Sequence, residues 1–273
     1  MSAAATPALR SQVQTALALR AAGRLQDALD ALSAPGEYSS DYYTLRGEIQ
    51  VALGRYQEAA GSYFTVVASQ PENAYAQFNL AVCLQRLGRW AEAALAFQKV
   101  LEIDGHRDEA RLGLGACLLH LSRAEEALSH FDACWSDAAR TRALFGKAVA
   151  LQFLRHYSES EAAYQRLLQT DTKTDEILAN LLALSVEVQD WDAAQHYATR
   201  LLELSSQSLA ALQGLAAVAI ERRQYETAVH YCGRIVELNP ECVEAWHNLR
   251  YATGRVMSSL HGSNTPPPGL GRK

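Results

Sequence analysis

The sequence predicts an all-α fold, an α-solenoid of antiparallel helix pairs, and three observations support this prediction. Apolar residues in the segment 74–107 recur at intervals of three and four, which is the period of an α-helix. Gly88 interrupts this pattern, and a residue without a Cβ atom suits the left-handed turn that ends many helices. The same pattern returns about every 34 residues along most of the chain, as expected for short repeats that pack on their neighbours.

Four kinds of residue mark each copy of the repeat. The residue that opens the second helix is aromatic in most copies: Leu25, Tyr56, Trp90, Ala124, Tyr157, Trp191 and Tyr225. A small residue, which lets two helices approach closely, follows three positions later: Ala28, Ala59, Ala93, Ala127, Ser160, Ala194 and Ala228. Several copies have a glycine in the turn between the helices: Gly23, Gly54 and Gly88. Four copies have an aromatic residue within the second helix: Tyr63, Phe97, Phe131 and Tyr164.

These coupled positions resemble the tetratricopeptide repeat (TPR) family over residues 9–261. The resemblance implies a right-handed superhelix whose concave wall is formed by the first helix of every pair. The sequence departs from the family pattern at two kinds of position. Leu182 and Arg250 occupy a position where most copies have glycine or alanine. Other residues replace the turn glycine in four copies: Ser122, Arg155, Gln189 and Arg223.

The repeat period divides the chain into about seven units followed by one capping helix. The expected units are residues 9–39, 40–73, 74–107, 108–140, 141–174, 175–208 and 209–242, with the capping helix at 243–260. The fourth unit is one residue short near Trp135. We expect residues 1–8 and 261–273 to be disordered, because they lack apolar periodicity and the second segment is rich in proline and glycine.

Composition excludes several classes of function. The net charge of −5 and the absence of clustered lysine and arginine argue against nucleic-acid binding. No stretch is long and apolar enough for membrane insertion. The first residues do not resemble a signal peptide, and the five cysteines have no framework spacing. We therefore expect a cytoplasmic protein with reduced thiols.

The resemblance also identifies residues that face the concave wall. In the family, these are the second, fifth, ninth, twelfth and thirteenth residues of each first helix. Mapped here, they predict a wall with an apolar centre, partly exposed on one continuous surface, as is typical of interaction sites. The alternative is that the helices themselves bury these side chains. The predicted partner-binding residues are Phe78, Val82, Arg86, Leu112, Ala116, Leu119, Arg142, Phe145, Val149, Phe153, Val186, Glu187 and Glu221.

No pattern in the sequence indicates a catalytic residue, a metal site or a cofactor. Cys83 and Cys117 occupy the same position in adjacent units, which favours packing, since a free cysteine behaves as a small hydrophobic residue. His130 and Cys134 share one helix face, but two ligands do not complete a zinc site. Trp135 either forms part of an exposed contact surface or fills the gap left by the missing residue.

The sequence thus predicts a non-enzymatic scaffold or adaptor. Its partner would be a protein or peptide whose amphipathic helix or extended apolar segment binds in the TPR groove. One alternative is a self-assembling structural protein, a homo-oligomer in which the terminal helix or tail of one chain fills a neighbour's groove. Another is a regulatory subunit of an enzyme complex.

Overall fold

The structure is a computed structural model that describes residues 7–32, 39–170 and 174–262. All regular secondary structure in these described ranges is helical. The chain divides into two compact units, Met1–Arg155 and His156–Lys273, which are described separately.

The first unit consists of consecutive antiparallel helices in which each helix packs against the next. First helices of neighbouring pairs also contact each other, as α5 and α7 do, and as α7 and α9 do. The helices are α1 (Pro7–Ala21), α2 (Leu25–Ala31), α3 (Ser40–Ala52), α4 (Tyr56–Ser69), α5 (Ala74–Arg86), α6 (Trp90–Ile103), α7 (Asp108–His120), α8 (Ala124–Asp132) and α9 (Asp137–Phe153).

The second unit continues the same alternation of first and second helices. The first helices α11 and α13 contact each other, and α15 packs against α14 as the last helix. The helices are α10 (Tyr157–Leu168), α11 (Thr174–Glu187), α12 (Trp191–Leu204), α13 (Leu209–Glu221), α14 (Tyr225–Leu238) and α15 (Val243–Gly262).

The prediction of an all-α solenoid of helix pairs is confirmed. Helix α1 begins at Pro7, two residues before the expected start of the array, because proline is well tolerated in the first turn of a helix. Helix α15 extends to Gly262, two residues past the expected end of the capping helix. Most of the segments expected to be disordered, residues 1–6 and 263–273, lie outside the described residues. The right-handed superhelix stays a prediction.

The turn between the helices of a pair has the same geometry whether or not it contains glycine. The backbone angle φ is +71° at Gly88 and +59° at Ser122. In both turns the next amide bonds back to the preceding helix: Arg89 N donates to the Leu84 carbonyl and Arg123 N to the Leu118 carbonyl, each at 2.9 Å. This bond satisfies a carbonyl that the helix end leaves unpaired. All seven turns share the positive φ: Gly23, Gly54, Gly88, Ser122, Arg155, Gln189 and Arg223.

The core of the first unit depends on aromatic rings packed against glycines. A Cβ atom added to Gly47 would lie 2.8 Å from the ring of Tyr63, and one added to Gly113 would lie 2.4 Å from the ring of Phe97. Both rings are 1% exposed. The glycines are therefore required by close approach between helices, because any larger residue would displace a buried ring.

In the second unit a leucine takes over this packing role. Leu182 is 4% exposed, and a Cβ atom added to Gly214 would lie 2.8 Å from its side chain. Leu182 occupies the position that departs from the family pattern, and Gly214 on the next first helix makes room for it. The departure therefore leaves the helix stack intact.

The short fourth repeat is closed by one buried carboxylate. Asp108, at the start of α7, accepts hydrogen bonds from the backbone N–H of Trp135 (3.1 Å) and of Ser136 (2.8 Å). Arg111 pairs with the same carboxylate at 2.9 Å. Burial by itself raises the pKa of Asp108, but the hydrogen bonds from Ser136, Trp135 and Arg111 hold that pKa below its usual range. Asp108 thus satisfies the amides that precede α9, where the chain has lost a residue.

Candidate functional site

An apolar pocket in the first unit collects most of the predicted wall residues. It lies between α7 and α9, and its cavity volume is about 340 Å³. Ala116 and Leu119 are half-buried on α7, and Phe145 and Val149 are half-buried on α9. The lining is Leu112, Ala116, Leu119, His120, Phe131, Arg142, Phe145, Gly146, Val149 and Phe153.

The floor of the α7–α9 pocket is more buried than the sequence indicated. Leu112, which we expected to be partly exposed, is only 9% exposed, because it packs into the core of the first unit. Beside it lies the ring of Phe131 from α8, which is 5% exposed. That ring is held between two glycines: a Cβ atom would lie 2.6 Å from it at Gly115 and 2.5 Å from it at Gly146. The pocket therefore has a rigid aromatic floor.

The mouth of the pocket combines one exposed aromatic ring with charged groups. Phe153 is 61% exposed at the end of α9. Arg142 on α9 forms an ion pair with Glu109 on α7 at 3.4 Å, and both side chains are largely exposed. His120 stacks on Trp90 of α6, with ring centroids 3.8 Å apart and planes 7° apart. An apolar interior beneath a polar mouth suits an apolar side chain carried on a polar chain.

The predicted residues on α5 do not line this pocket. The rings of Phe78 and Phe97 pack edge to face with centroids 5.7 Å apart, and the guanidinium carbon of Arg107 lies over the Phe78 ring, 4.3 Å from its centroid. Val82 is half-buried against the core, and only Arg86 is exposed. Phe78 is thus half-buried, and Arg107 from the turn before α7 contacts its ring through a cation–π interaction.

The remaining predicted residues belong to the second unit. Val186 lines a different pocket, of about 450 Å³, formed by α11, α13, α14 and α15. Glu187 accepts a hydrogen bond from the hydroxyl of Tyr157 at 2.7 Å, and Glu221 is exposed at the end of α13. The other lining residues are mostly small: Ala179, Leu182, Ala183, Ala210, Gln213, Gly214, Ala216, Ala217, Ile235, Glu244, Ala245 and Asn248.

The cysteines and histidines considered for chemistry have structural surroundings. Burial raises the pKa of the Cys83 and Cys117 thiols to about 11, so both are neutral packing groups. The expectation that His130 and Cys134 share one helix face is wrong, because α8 ends at Asp132 and Cys134 lies beyond it. Cys134 Sγ donates to the backbone carbonyl of His130 at 3.5 Å. Burial also lowers the pKa of His130. In the part of the chain that the structure describes, no three histidine, cysteine, aspartate or glutamate side chains are grouped to hold a metal ion.

Trp135 is exposed rather than inserted into the gap of the short repeat. Its side chain is 64% exposed, and its ring meets His106 edge-on at a centroid distance of 6.4 Å. The gap is closed by Asp108 instead. None of the described helices is both long enough and apolar enough to cross a lipid bilayer.

Sequence reasoning missed two features of the pocket. The sequence identifies Phe131 only as a repeat marker, although it forms the pocket floor, because the family pattern maps only first helices onto the wall. Gly146 likewise falls outside the five positions that the resemblance maps onto the wall. The signal was present: an aromatic residue in the second helix, together with glycine in the following first helix, indicates a ring that reaches across to that helix.

Comparison with known families agrees with the helix pairing. Two models, both described as tetratricopeptide repeat, match the chain. One matches residues 44–108, and the other matches residues 86–139 and 186–251. No curated protein sequence matches the chain.

Solved structures show the same fold at low sequence identity. A tetratricopeptide repeat protein from Parabacteroides merdae has 17% identity and a TM-score of 0.66, and the match covers 91% of this chain and 100% of that one. PilW, a type IV pilus biogenesis factor, has 18% identity and a TM-score of 0.67, over 80% of this chain and 100% of its own. YrrB, titled a TPR protein with an unusual peptide-binding site, has 17% identity and a TM-score of 0.53, over 69% and 97%.

These likenesses concern architecture, since each identity is below the level at which function transfers. The recurring left-handed turns, the consecutive helix pairs and the matched segments 44–139 and 186–251 all agree. The chain belongs to the tetratricopeptide repeat family.

Proposed function

We propose that this protein is a non-enzymatic scaffold or adaptor that binds a partner protein through the α7–α9 pocket. The observation that carries the proposal is the pocket itself, an apolar cavity with a rigid aromatic floor and an exposed Phe153 at its mouth. An exposed aromatic residue beside an apolar cavity is typical of sites where a few side chains supply most of the binding energy.

The partner segment is an amphipathic helix or an extended apolar stretch. One apolar side chain enters between Leu119 and Val149, and Phe153 covers it from the mouth. Arg142 is largely exposed, and its ion pair with Glu109 at 3.4 Å is loose enough to exchange for a carboxylate on the partner. Apolar burial then supplies affinity, and Arg142 and Arg86 orient the segment.

Binding rather than catalysis accounts for the groups present. An active site requires titratable groups that converge in one cavity, whereas this cavity offers only His120 and Arg142 beside apolar side chains. His120 is stacked on Trp90 and so is oriented by packing. We place the protein in the cytoplasm, where its free thiols remain reduced.

Peptide display on the full chain tests the proposal. A phage library of amphipathic helical peptides is panned on the immobilised protein, and the selected peptide is then titrated in solution by calorimetry. Phe153→Glu places a charge at the mouth and is expected to weaken binding about tenfold or more. Leu95→Glu is the matched control, because Leu95 is 69% exposed but lies on α6, outside the pocket, and should leave affinity unchanged.

Two results would contradict the α7–α9 site. One is a library that yields no peptide enriched over background. The other is a selected peptide that binds Phe153→Glu as tightly as the wild-type protein, which would place the peptide elsewhere.

A further inference from the structure

The last helix, α15, has one side packed against the helices before it and one side open. Ala245 and Ala252 are buried in clusters that also contain residues of α13 and α14. Val243 is 79% exposed, Trp246 is 51% exposed, and Arg250 is also exposed. These three residues are three and four positions apart, so they lie along one side of α15, which we call the open side.

The equivalent side of the preceding first helices is buried. At the positions of Trp246 and Arg250, α13 has Leu212 and Ala216, and both are buried. The equivalent residues of α11 are buried too: Leu178 and Leu182. Each of these first helices packs against its own second helix, α11 against α12 and α13 against α14. The structure describes no helix after α15, so this half of the repeat packing is missing there.

Close contacts in the first unit identify what covers this side in a complete repeat. At the position of Arg250, α3 has Gly47 and α7 has Gly115. A Cβ atom added to Gly47 would lie 2.8 Å from the ring of Tyr63 on α4. One added to Gly115 would lie 2.6 Å from the ring of Phe131 on α8. In both repeats the covering side chain comes from the second helix, so an antiparallel α-helix is the element that fits the open side of α15.

Trp246 is oriented for such a contact. Its indole Nε1 donates a hydrogen bond to the carbonyl of Pro240 at 2.9 Å. The equivalent residue of α5, Gln77, donates in the same way to the carbonyl of Pro71 at 3.1 Å, so this bond is a feature of the repeat. A tryptophan that is already held in place loses little conformational entropy on binding. Tryptophan is also enriched among the residues that supply most of the energy of interfaces.

Arg250 determines the charge of the helix that fits. Most repeats have glycine or alanine at this position, so packing within the chain does not require an arginine there. Its guanidinium forms no ion pair in the part of the chain that the structure describes. An aspartate or glutamate on the incoming helix, at the position that Tyr63 and Phe131 occupy in theirs, would lie opposite Arg250 and pair with it.

Neither a second α15 nor the last segment of this chain supplies that carboxylate. The only acidic residue of α15, Glu244, lines the pocket formed with α11, α13 and α14 instead of the open side. An α15–α15 dimer would therefore bring two Arg250 guanidinium groups into one interface without a carboxylate, which is unfavourable. Residues 263–273 include Arg272 and Lys273 but no aspartate or glutamate. The charges thus favour a helix from a different protein.

We propose that the open side of α15 is a docking site for an acidic amphipathic helix of a partner protein, which takes the place of a second helix and completes the last repeat. The partner helix packs apolar side chains on Val243 and Trp246 and pairs a carboxylate with Arg250. The open side shares no residue with the α7–α9 pocket, so this inference does not depend on the proposed peptide site.

Synthetic peptides derived from α14, a second helix of this chain, test the docking site. The probe has the sequence Tyr225–Leu238 with the change Cys232→Glu, which places a carboxylate at the position equivalent to Phe131. A lactam bridge on the outward side keeps the peptide helical, and circular dichroism verifies this before use. Fluorescence anisotropy of the labelled probe, titrated with the full chain, should show saturable binding. The Cys232→Gln peptide, which lacks only the charge, should bind about tenfold more weakly.

Variants of the protein locate the bound probe. Trp246→Ala should weaken binding of the Cys232→Glu peptide at least about tenfold. Arg250→Glu should reverse the charge preference, so that a Cys232→Lys peptide binds more tightly than the Cys232→Glu peptide. Both altered side chains are exposed, and circular dichroism checks that each variant remains folded. Phe153→Glu is the control, because it alters the mouth of the α7–α9 pocket and should leave the affinity for the probe unchanged.

Four results would overturn this inference. The first is no measurable binding of the Cys232→Glu peptide at about 1 mM. The second is equal affinity of the glutamate and glutamine peptides for the wild-type protein. The third is a charge preference that Arg250→Glu leaves unchanged. The fourth is self-association of the wild-type chain in sedimentation velocity that Trp246→Ala abolishes, since the open side would then belong to a second copy.

Discussion

The two pockets on first helices occupy equivalent places in the repeat, yet they are built from opposite kinds of side chain. In the first unit, the ring of Phe131 lies beneath the cavity and the rings of Phe145 and Phe153 surround it. In the second unit, six of the thirteen lining residues are alanine and none is aromatic, and Leu182 packs against Gly214. The second cavity is the larger, about 450 Å³ against about 340 Å³.

The difference comes from an exchange of large and small residues between two positions of the repeat. Phe131 packs on Gly115 of its own repeat, so the large residue is on the second helix. In the second unit the equivalent positions hold Ala198 and Leu182, so the large residue is on the first helix. Both pairs fill the space between helices. Repeat packing therefore constrains the summed volume of the pair rather than either residue alone, which leaves the cavity above free to differ.

The largest effect is expected from Phe131→Ala, which removes the buried floor of the first pocket. Because the ring contacts two glycines, nothing nearby can fill the space it leaves. We expect a loss of about 3–5 kcal/mol in the free energy of unfolding, measured by urea denaturation. Phe64→Ala serves as the control and should change that free energy by less than about 0.5 kcal/mol, because Phe64 is exposed. A loss below about 1 kcal/mol for Phe131→Ala would contradict the described packing.

A double-mutant cycle at Leu182 and Ala198 tests the exchange of large and small residues directly. Leu182→Ala leaves a cavity and Ala198→Phe overfills the space, so each single change destabilises the second unit. Their combination restores the large residue on the second helix, as in the first unit. We expect the double variant to be more stable than the sum of the single effects by about 1–3 kcal/mol. Additive losses would show that the two positions do not share one space.

Gly146→Ala tests how tightly the ring of Phe131 is packed beneath the first pocket. The added Cβ atom would lie 2.5 Å from the ring of Phe131, which Gly115 prevents from moving away. We expect a loss of about 1–3 kcal/mol. Gly214→Ala should be less costly, since the end of the Leu182 side chain can rotate. The control Gly61→Ala meets no atom and should stabilise the protein by about 0.5–1 kcal/mol. Equal losses at Gly146 and Gly61 would refute the steric explanation.

The smallest effects concern the turns. Gln189 in the second unit and Gly88 in the first have φ values of +61° and +71°, but only glycine adopts this conformation without strain. We expect Gln189→Gly to stabilise the protein and Gly88→Gln to destabilise it, each by about 1 kcal/mol, as read from the thermal unfolding midpoint. Changes of the same sign in both variants would mean that side-chain contacts, not backbone strain, dominate at the turns.

Much of the fold could be predicted because its signals are local and repeated. Helix periodicity and Gly23, Gly54 and Gly88 were enough to place the pairs. The structure keeps the same left-handed turn at Ser122 and Arg223, where the sequence shows no glycine. Hydrogen bonding at the helix ends maintains the turn even with an unfavourable residue.

The candidate site could be predicted only in part. The position of a residue within the repeat indicates which face of the helix it occupies, but not which other side chains cover that face. The repeat positions of Leu119, Phe145 and Val149 predict that they share one wall, and all three line one cavity. Repeat position gave no sign of the contact between Phe78 and Arg107, since Arg107 lies outside the mapped positions. It also could not identify Phe131, whose contribution depends on tertiary contact with Gly146.

The position of the Phe131 ring couples ligand binding in the first pocket to the folding stability of the protein. The ring joins α8 to α7 and α9 and also forms the surface on which a guest side chain would rest. Any guest that contacts the ring only in the native state shifts the folding equilibrium in proportion to the logarithm of its concentration. The melting temperature would therefore report ligand binding in this pocket. Variants that loosen the packing of the Phe131 ring would also lower the affinity for ligands that do not contact the altered residue.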